Sequence, residues 1–343
     1  MKDITVVVQG AVSADFTPIC LKSIRKYLPT AHILLSTWDG TDVSGLDIDE
    51  VIFNKDPGAI APMFDSNKNI HNNPNNINRQ IVSTLNGLKA VKTKYALKIR
   101  TDFEIKHAGF LKYFDKYNKY SNDYQVFEKR VISVMGDKPD IRSFFVYDFL
   151  FFGLTKDLLN LFDIPLMTKE DAEWFYTHKP INDEKYLLTQ GLFKYIPEQH
   201  IWMNCLAKKY PEVFSIMKDC SDVNPESVRV GELSFVNNFV CLDFNQYGVY
   251  PLKDSLQWLY TQDRWHMFHF IDWQTLYKKY CDEKYKIKLP FVNRLKLEKK
   301  IAKFKGHREK FKNKKKLKFA LQCAYDCLRI FVHTMTHSYL FFK

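Results

Sequence analysis

Apolar residues come in short bursts along the first hundred positions, and their spacing changes from burst to burst. Ile4, Val6, Val7 and Val8 form a run ended by Gly10, the pattern of a strand buried on both faces. Thr17-Pro18 then opens a segment with Ile19, Leu21, Ile24 and Leu28 at helical spacing, closed by Pro29. Strands are predicted at 32–37, running into Trp38-Asp39-Gly40, and at 51–53, ending at Asn54-Lys55-Asp56-Pro57-Gly58. A β-α-β-loop-β rhythm of this kind predicts a parallel α/β sheet with ligand sites at the carboxyl ends of its strands.

An Asn-rich loop follows. Ile77, Ile81, Leu85 and Leu88 then predict a helix over 76–91, and the strand 95–100 runs into Thr101-Asp102-Phe103-Glu104. Further along we expect a helix near 110–120, a strand near 131–134 and an apolar run at 148–153. Helices are expected at 156–162 and 197–209, and short strands within 220–252. The pattern shows no internal repeat.

Composition adds class. The 343 residues are 46% hydrophobic and 26% charged, enough apolar mass for a large core. No apolar run approaches the ~20 residues of a spanning helix, and the first residues lack the pattern of a signal peptide. The seven Cys are scattered without a Cys-x-x-Cys, which favours a reducing, cytoplasmic setting. The formal charge is +12, but residues 294–318 hold 13 Lys/Arg against Glu298 and Glu309. The rest of the chain is therefore near neutral, and the expected organisation is a globule over 1–290 with a basic, amphipathic helical tail over 291–343.

Candidate chemistry gathers at the strand ends. Asp102 and Glu104 lie at i and i+2 just past a buried strand, two hard oxygen donors suited to Mg²⁺ or Mn²⁺, which in turn would hold a diphosphate. A loop with two solvated acids is the alternative. Asn75, Asn78 and Arg79 sit at a helix start, where free N–H groups and a fixed charge attract anions. Gln9 and Gly10 after the first strand, Thr37 and Asp39 after the second, and Arg100 complete a possible nucleotide-sugar pocket. Glu198, Asp148 and Asp183 are candidate bases for an acceptor hydroxyl. Glu198 also suits a helix start for electrostatic reasons alone. His266 with His269, and His333 with His337, could ligate metal, but incidental aromatic packing and a polar helix stripe are the preferred explanations. No Gly-x-Gly and no Gly-Lys-Ser/Thr occurs among the 12 Gly, which argues against a dinucleotide fingerprint, a kinase loop or a P-loop.

Taken together, several stretches resemble the WavE lipopolysaccharide-synthesis family. They are Ile4-Thr5-Val6-Val7-Val8-Gln9-Gly10, Cys20-Leu21-Lys22-Ser23-Ile24-Arg25, Leu35-Ser36-Thr37-Trp38-Asp39-Gly40, Asn75-Asn76-Ile77-Asn78-Arg79-Gln80 and Leu97-Lys98-Ile99-Arg100-Thr101-Asp102. A weaker likeness continues through Asp148 to Gly153 and Pro197-Glu198-Gln199, so the resemblance covers roughly 3–205. It implies a GT-A-like fold and sugar transfer into a bacterial surface polysaccharide. The expected donor is a nucleotide diphosphate sugar, and the acceptor a lipopolysaccharide, capsular or lipid-linked glycan. The basic tail is expected to meet an anionic membrane surface, making the enzyme peripheral on the inner membrane. A sugar-phosphate nucleotidyltransferase is the competing enzyme reading. A nucleic-acid-binding protein is the non-enzyme one, disfavoured because the positive charge is confined to the tail.

Overall fold

The computed structural model describes residues 3–60, 62–64, 70–134, 136–186, 191–261 and 267–287. Contacts divide the chain into two units, Met1–Tyr260 with Phe268–Tyr285, and Thr261–Met267 with Lys286–Lys343. Of the second unit only Thr261, Met267, Lys286 and Ile287 are described. The expected tail over 291–343, His266, His333 and His337 lie outside the described residues.

The first unit is built on a seven-stranded sheet flanked by helices. Its strands in chain order are β1 (Ile4–Gln9), β2 (His32–Trp38), β3 (Glu50–Asn54), β4 (Tyr95–Arg100), β5 (Val131–Val134), β6 (Leu150–Leu154) and β7 (Phe239–Leu242). The spatial order is β7-β5-β6-β4-β1-β2-β3. Strands β1 to β4 are mutually parallel, with Val6 opposite Ile33 and Val8 opposite Ile99. Their side chains face helices on both sides, so Val6, Val7, Val8, Leu34, Leu35, Leu97 and Ile99 are buried in unbroken runs. Each such side chain contributes about 1.5–3 kcal/mol on burial.

One strand departs from the expected parallel sheet. β6 runs antiparallel to both β4 and β5. The described residues between β5 and β6 hold no crossover helix, the usual link between parallel strands, and β6 enters in the reverse sense.

Helix α1 (Thr17–Tyr27) starts with Pro18 in its first turn and buries Cys20, Leu21 and Ile24. Ile19, expected on the buried stripe, is instead 43% exposed. Helix α2 (Ile77–Ala90) covers β1 and β2. A Cβ on its Gly87 would lie 2.6 Å from Val7 Cγ1 and 3.0 Å from Ser36 Cβ, so only glycine lets the helix approach this closely. Helices α3 (Thr155–Phe162), α4 (Pro197–Ala207), α5 (Pro225–Asn238) and α6 (Phe270–Tyr280) complete the frame.

The helix expected near 110–120 needs correction. The segment 110–120 is a short 3₁₀ turn, Gly109–Tyr113, followed by irregular chain. Asp115 at φ 58° cannot continue a helix, and the spaced aromatics pack elsewhere: Phe110 stacks on Tyr247 at 4.8 Å and Tyr117 meets Trp273 edge-on at 4.6 Å. Within 220–252 the expected short strands form, at Phe239–Leu242 and Val249–Pro251, and the 14-residue α5, which the spacing does not predict, precedes them. Asn224 Oδ1 caps α5, accepting from Glu226 N at 3.0 Å and Ser227 N at 2.9 Å. Buried Ser227, Gly231, Ser234, Asn237 and Asn238 blur its apolar stripe.

Candidate active site

The sheet order reverses between β1 and β4, with β2 and β3 continuing on one side and β6, β5 and β7 on the other. In open α/β sheets such a switch point, at the carboxyl ends of the strands, is where ligands bind. Gln9-Gly10 closes β1 there, and Arg100-Thr101-Asp102 closes β4. Gly10 takes a φ of +114°, donates its N–H to Ser36 O at 3.0 Å and leaves Thr101 Oγ1 free to reach Ala11 O at 2.9 Å. The two strand ends are thus stitched together at the floor of the site.

Arg100 is the centre of the arrangement. Its Nε and Nη2 fork onto Asp102 Oδ1 and Oδ2 at 3.0 and 2.6 Å. Its guanidinium lies 5.2 Å from the Phe149 ring and 5.9 Å from Phe103. Asp102 is only 3% exposed, and Lys253 Nζ also reaches its Oδ2, at 3.0 Å. Burial alone would raise the Asp102 acid, but Arg100 and Lys253 outweigh it and hold the carboxyl below its usual range.

The reversed direction of β6 brings in the next acid. Leu150 at its start pairs with Ile99 near the end of β4, so Asp148 lands at the same edge as Arg100. A parallel β6 would have put Asp148 at the opposite edge. Buried Lys98, two residues before Arg100 on the same strand face, donates Nζ to Asp148 O and more weakly to Phe149 O at 3.5 Å. Burial pulls the Lys98 ammonium down to about 7.

Glu198 stands in the first turn of α4, half-buried. Burial and the neighbouring Asp148 carboxylate push its acid up to about 8, against the pull of its own N–H and of Arg142. Arg142 is ion-paired to Asp137 at 2.5 Å. Arg100 lies in the field of Asp102, Asp148 and Glu198 together. These groups form one charged cluster above the switch point.

The other expected residues take different places. Gln9 is buried, its Oε1 accepting from Ser83 Oγ of α2 at 2.8 Å. Thr37 is fully buried with its hydroxyl unpartnered, and Asp39 is an exposed turn acid. Asn75 caps α2 by accepting from Ile77 N at 3.1 Å. Asn78 clamps Met167, donating to its O at 3.0 Å and accepting from its N at 2.8 Å. Arg79 forks onto Asp56, both contacts at 2.7 Å, and also reaches Asn76. Asp183 is exposed on the four-residue helix Asp183–Tyr186. His269 pairs with Asp243 at 3.1 Å.

Glu104 lies in the short strand Phe103–Ile105 and meets Lys106 Nζ at 2.7 Å. Asp102 and Glu104 as they stand are therefore engaged by a guanidinium and two ammonium groups. A divalent ion needs those oxygens at 2.0–2.6 Å, and among the described residues no group of three His, Cys, Asp or Glu could hold one. The donor set in this arrangement does not suit a divalent ion.

Sequence reasoning missed Lys98, Lys253 and Arg142. Lys98 left a signal, an ionisable residue inside the apolar run Tyr95-Ala96-Leu97-Lys98-Ile99. Lys253 left none, because a distant strand carries it to the site.

A family model described as WavE lipopolysaccharide synthesis matches residues 4–305. The match spans most of the chain, and the chain belongs to that family. No curated protein matches it. Among the described residues no helix is long and apolar enough to cross a membrane.

Proposed function

We propose that this member of the WavE family is a GT-A-like glycosyltransferase. It moves a sugar from a nucleotide diphosphate sugar onto a lipopolysaccharide or capsular glycan. The observation that carries the reading is the β1–β4 switch point, where Arg100 forks onto the buried Asp102, with Asp148 at the same sheet edge.

In this reading the acceptor hydroxyl attacks the anomeric carbon of the donor. A new C–O bond forms as the bond to the diphosphate oxygen breaks, and the diphosphate leaves with the electron pair. The hydroxyl proton passes to Glu198, and the anomeric centre inverts. Glu198 is favoured over Asp148 and Asp183 because it is half-buried, and its acid near 8 gives its ionised form more basic strength than a solvated carboxylate has. Burial, with Asp148 beside it, keeps that acid raised, and Arg100 steadies the charge that develops on the diphosphate.

The test begins with a thermal-shift panel of nucleotide sugars on the full-length protein, since a donor that binds only the folded state raises Tm. Turnover with the stabilising donor, and its loss in Glu198→Gln with the fold retained, would support the mechanism. If no nucleotide sugar stabilises the protein, the reading falls.

The basic segment 294–318 is taken as a peripheral anchor on the inner membrane, where lipid-linked acceptors are found. Co-sedimentation of the full-length protein with anionic but not neutral vesicles at low salt is the expected result. Equal recovery with both would remove the anchor from the proposal.

A further inference from the structure

We infer that fixed cations of the chain, Arg100 and Lys253, meet the leaving diphosphate in place of a divalent metal ion. The inference rests on the glycosyl-transfer reading and names the chemistry of its donor site. Asp102 is the key. Its side chain is 4% exposed, and both oxygens already accept from cations: Oδ1 from Arg100 Nε, Oδ2 from Arg100 Nη2 and Lys253 Nζ. A metal ion on either oxygen would sit against two positive groups. Glu104, the second expected ligand, is held by Lys106.

The backbone makes the placement of Lys253 more than a chance surface contact. The short strand Val249–Pro251 pairs antiparallel with Phe103–Ile105, Pro251 opposite Phe103, and Leu252 N donates to Asp102 O at 2.9 Å. The residue after Leu252 is thereby held beside the Asp102 carboxylate. The Lys253 side chain is 47% exposed, and Arg100 is 25% exposed. An ammonium has three donors and a guanidinium five. Asp102 takes one from Lys253 and two from Arg100, which leaves donors on both for phosphate oxygens. Asp102 then acts as a positioning residue that holds two cations at a set spacing.

The experiment is calorimetric titration of the full-length protein with UDP, GDP, CDP, ADP, dTDP and inorganic pyrophosphate, in EDTA and then in Mn²⁺. Binding of the preferred nucleoside diphosphate is expected to change less than about twofold between the two media. Lys253→Met, at a half-exposed position the fold tolerates, is expected to weaken the diphosphate about tenfold or more while the parent nucleoside binds as before, because charge-assisted bonds to phosphate are lost. Asp102→Asn is expected to retain diphosphate binding in EDTA while turnover falls, whereas loss of a metal ligand would abolish binding. A diphosphate that binds only with Mn²⁺, or a Lys253→Met protein that binds it unchanged, overturns this inference and leaves the glycosyl-transfer reading standing. If none of the probes binds in either medium, both fall.

Discussion

Arg79 and Arg100 make the same contact in two different surroundings. Each grips an aspartate with Nε and Nη2, Arg79 on Asp56 and Arg100 on Asp102. The side chains of the first pair are 32% and 39% exposed, those of the second 25% and 4%. Water screens the first pair, and exposed pairs of this kind are worth about 0–1 kcal/mol. The second has one partner almost wholly removed from water, and breaking a buried pair costs about 3–5 kcal/mol. Identical geometry therefore says little about role. The depth of the carboxylate, and what else reaches it, separates a surface clasp from a charged centre.

The largest effect should follow Arg100→Ala. It leaves Asp102 buried with Lys253 alone, so urea denaturation should show a loss of about 3–5 kcal/mol, and turnover should vanish. Arg100→Lys keeps a charge but loses the fork, and is expected to fold better while staying far below wild-type rate. A fully active Arg100→Lys protein would break the comparison at its strongest point.

Glu198→Gln comes next. Loss of a general base is expected to lower kcat by about 10²–10⁴-fold. The wild-type rate should climb as pH rises through about 8, where the Glu198 acid ionises, and the variant should lack that limb. Stability runs the other way. The folded chain keeps this proton to about 8 and the unfolded chain only to about 4.5, so the contribution is full below 4.5 and is lost as pH rises through 8. Tm measured across pH 5–9 should fall more steeply for wild type than for Glu198→Gln.

Lys98→Met tests the opposite sign on the same cluster. The unfolded ammonium keeps its proton to 10.5, the folded one to about 7. Wild-type stability should therefore rise between pH 7 and 10 relative to the variant, because the unfolded state binds the extra proton in that window. A difference curve flat with pH would mean that Lys98 is not held as buried as it stands here.

The smallest effect belongs to Arg79→Ala. Stability should change by no more than about 1 kcal/mol and diphosphate affinity by less than about twofold. A loss specific to the diphosphate and larger than that of Lys253→Met would return Arg79 to the phosphate-binding role the helix start suggests.

The sequence made β1 to β4 legible because every apolar run there has one period and a clear stop. Arg100 and Asp102 were legible for the same reason, since they follow directly on such a run. Elsewhere, periodicity misled. Phe110, Tyr113 and Tyr117 share a helical spacing, yet Phe110 stacks on Tyr247 while Tyr113 and Tyr117 pack on Phe270, and Asp115 breaks the chain direction. In α5 the signal was Asn224-Pro225 at the cap, and buried Ser and Asn residues hid the stripe behind it. Asp148 could be flagged as an acid before an apolar run, but its place beside Arg100 depends on the direction of β6. Local pattern does not carry strand direction.

The pairing of Val249–Pro251 with Phe103–Ile105 also has a meaning for the order in which the molecule is made. A chain emerging from its amino end has β1 to β4 early, with contacts that close over short spans. Lys253 joins Asp102 only once the segment some 150 residues downstream has docked, a closure that local contacts cannot bring forward. Until then the Arg100–Asp102 pair stands at the rim of an unfinished sheet. The cleft is completed by a strand from late in the chain, so competence for the substrate reports that the first unit has folded at least as far as Lys253.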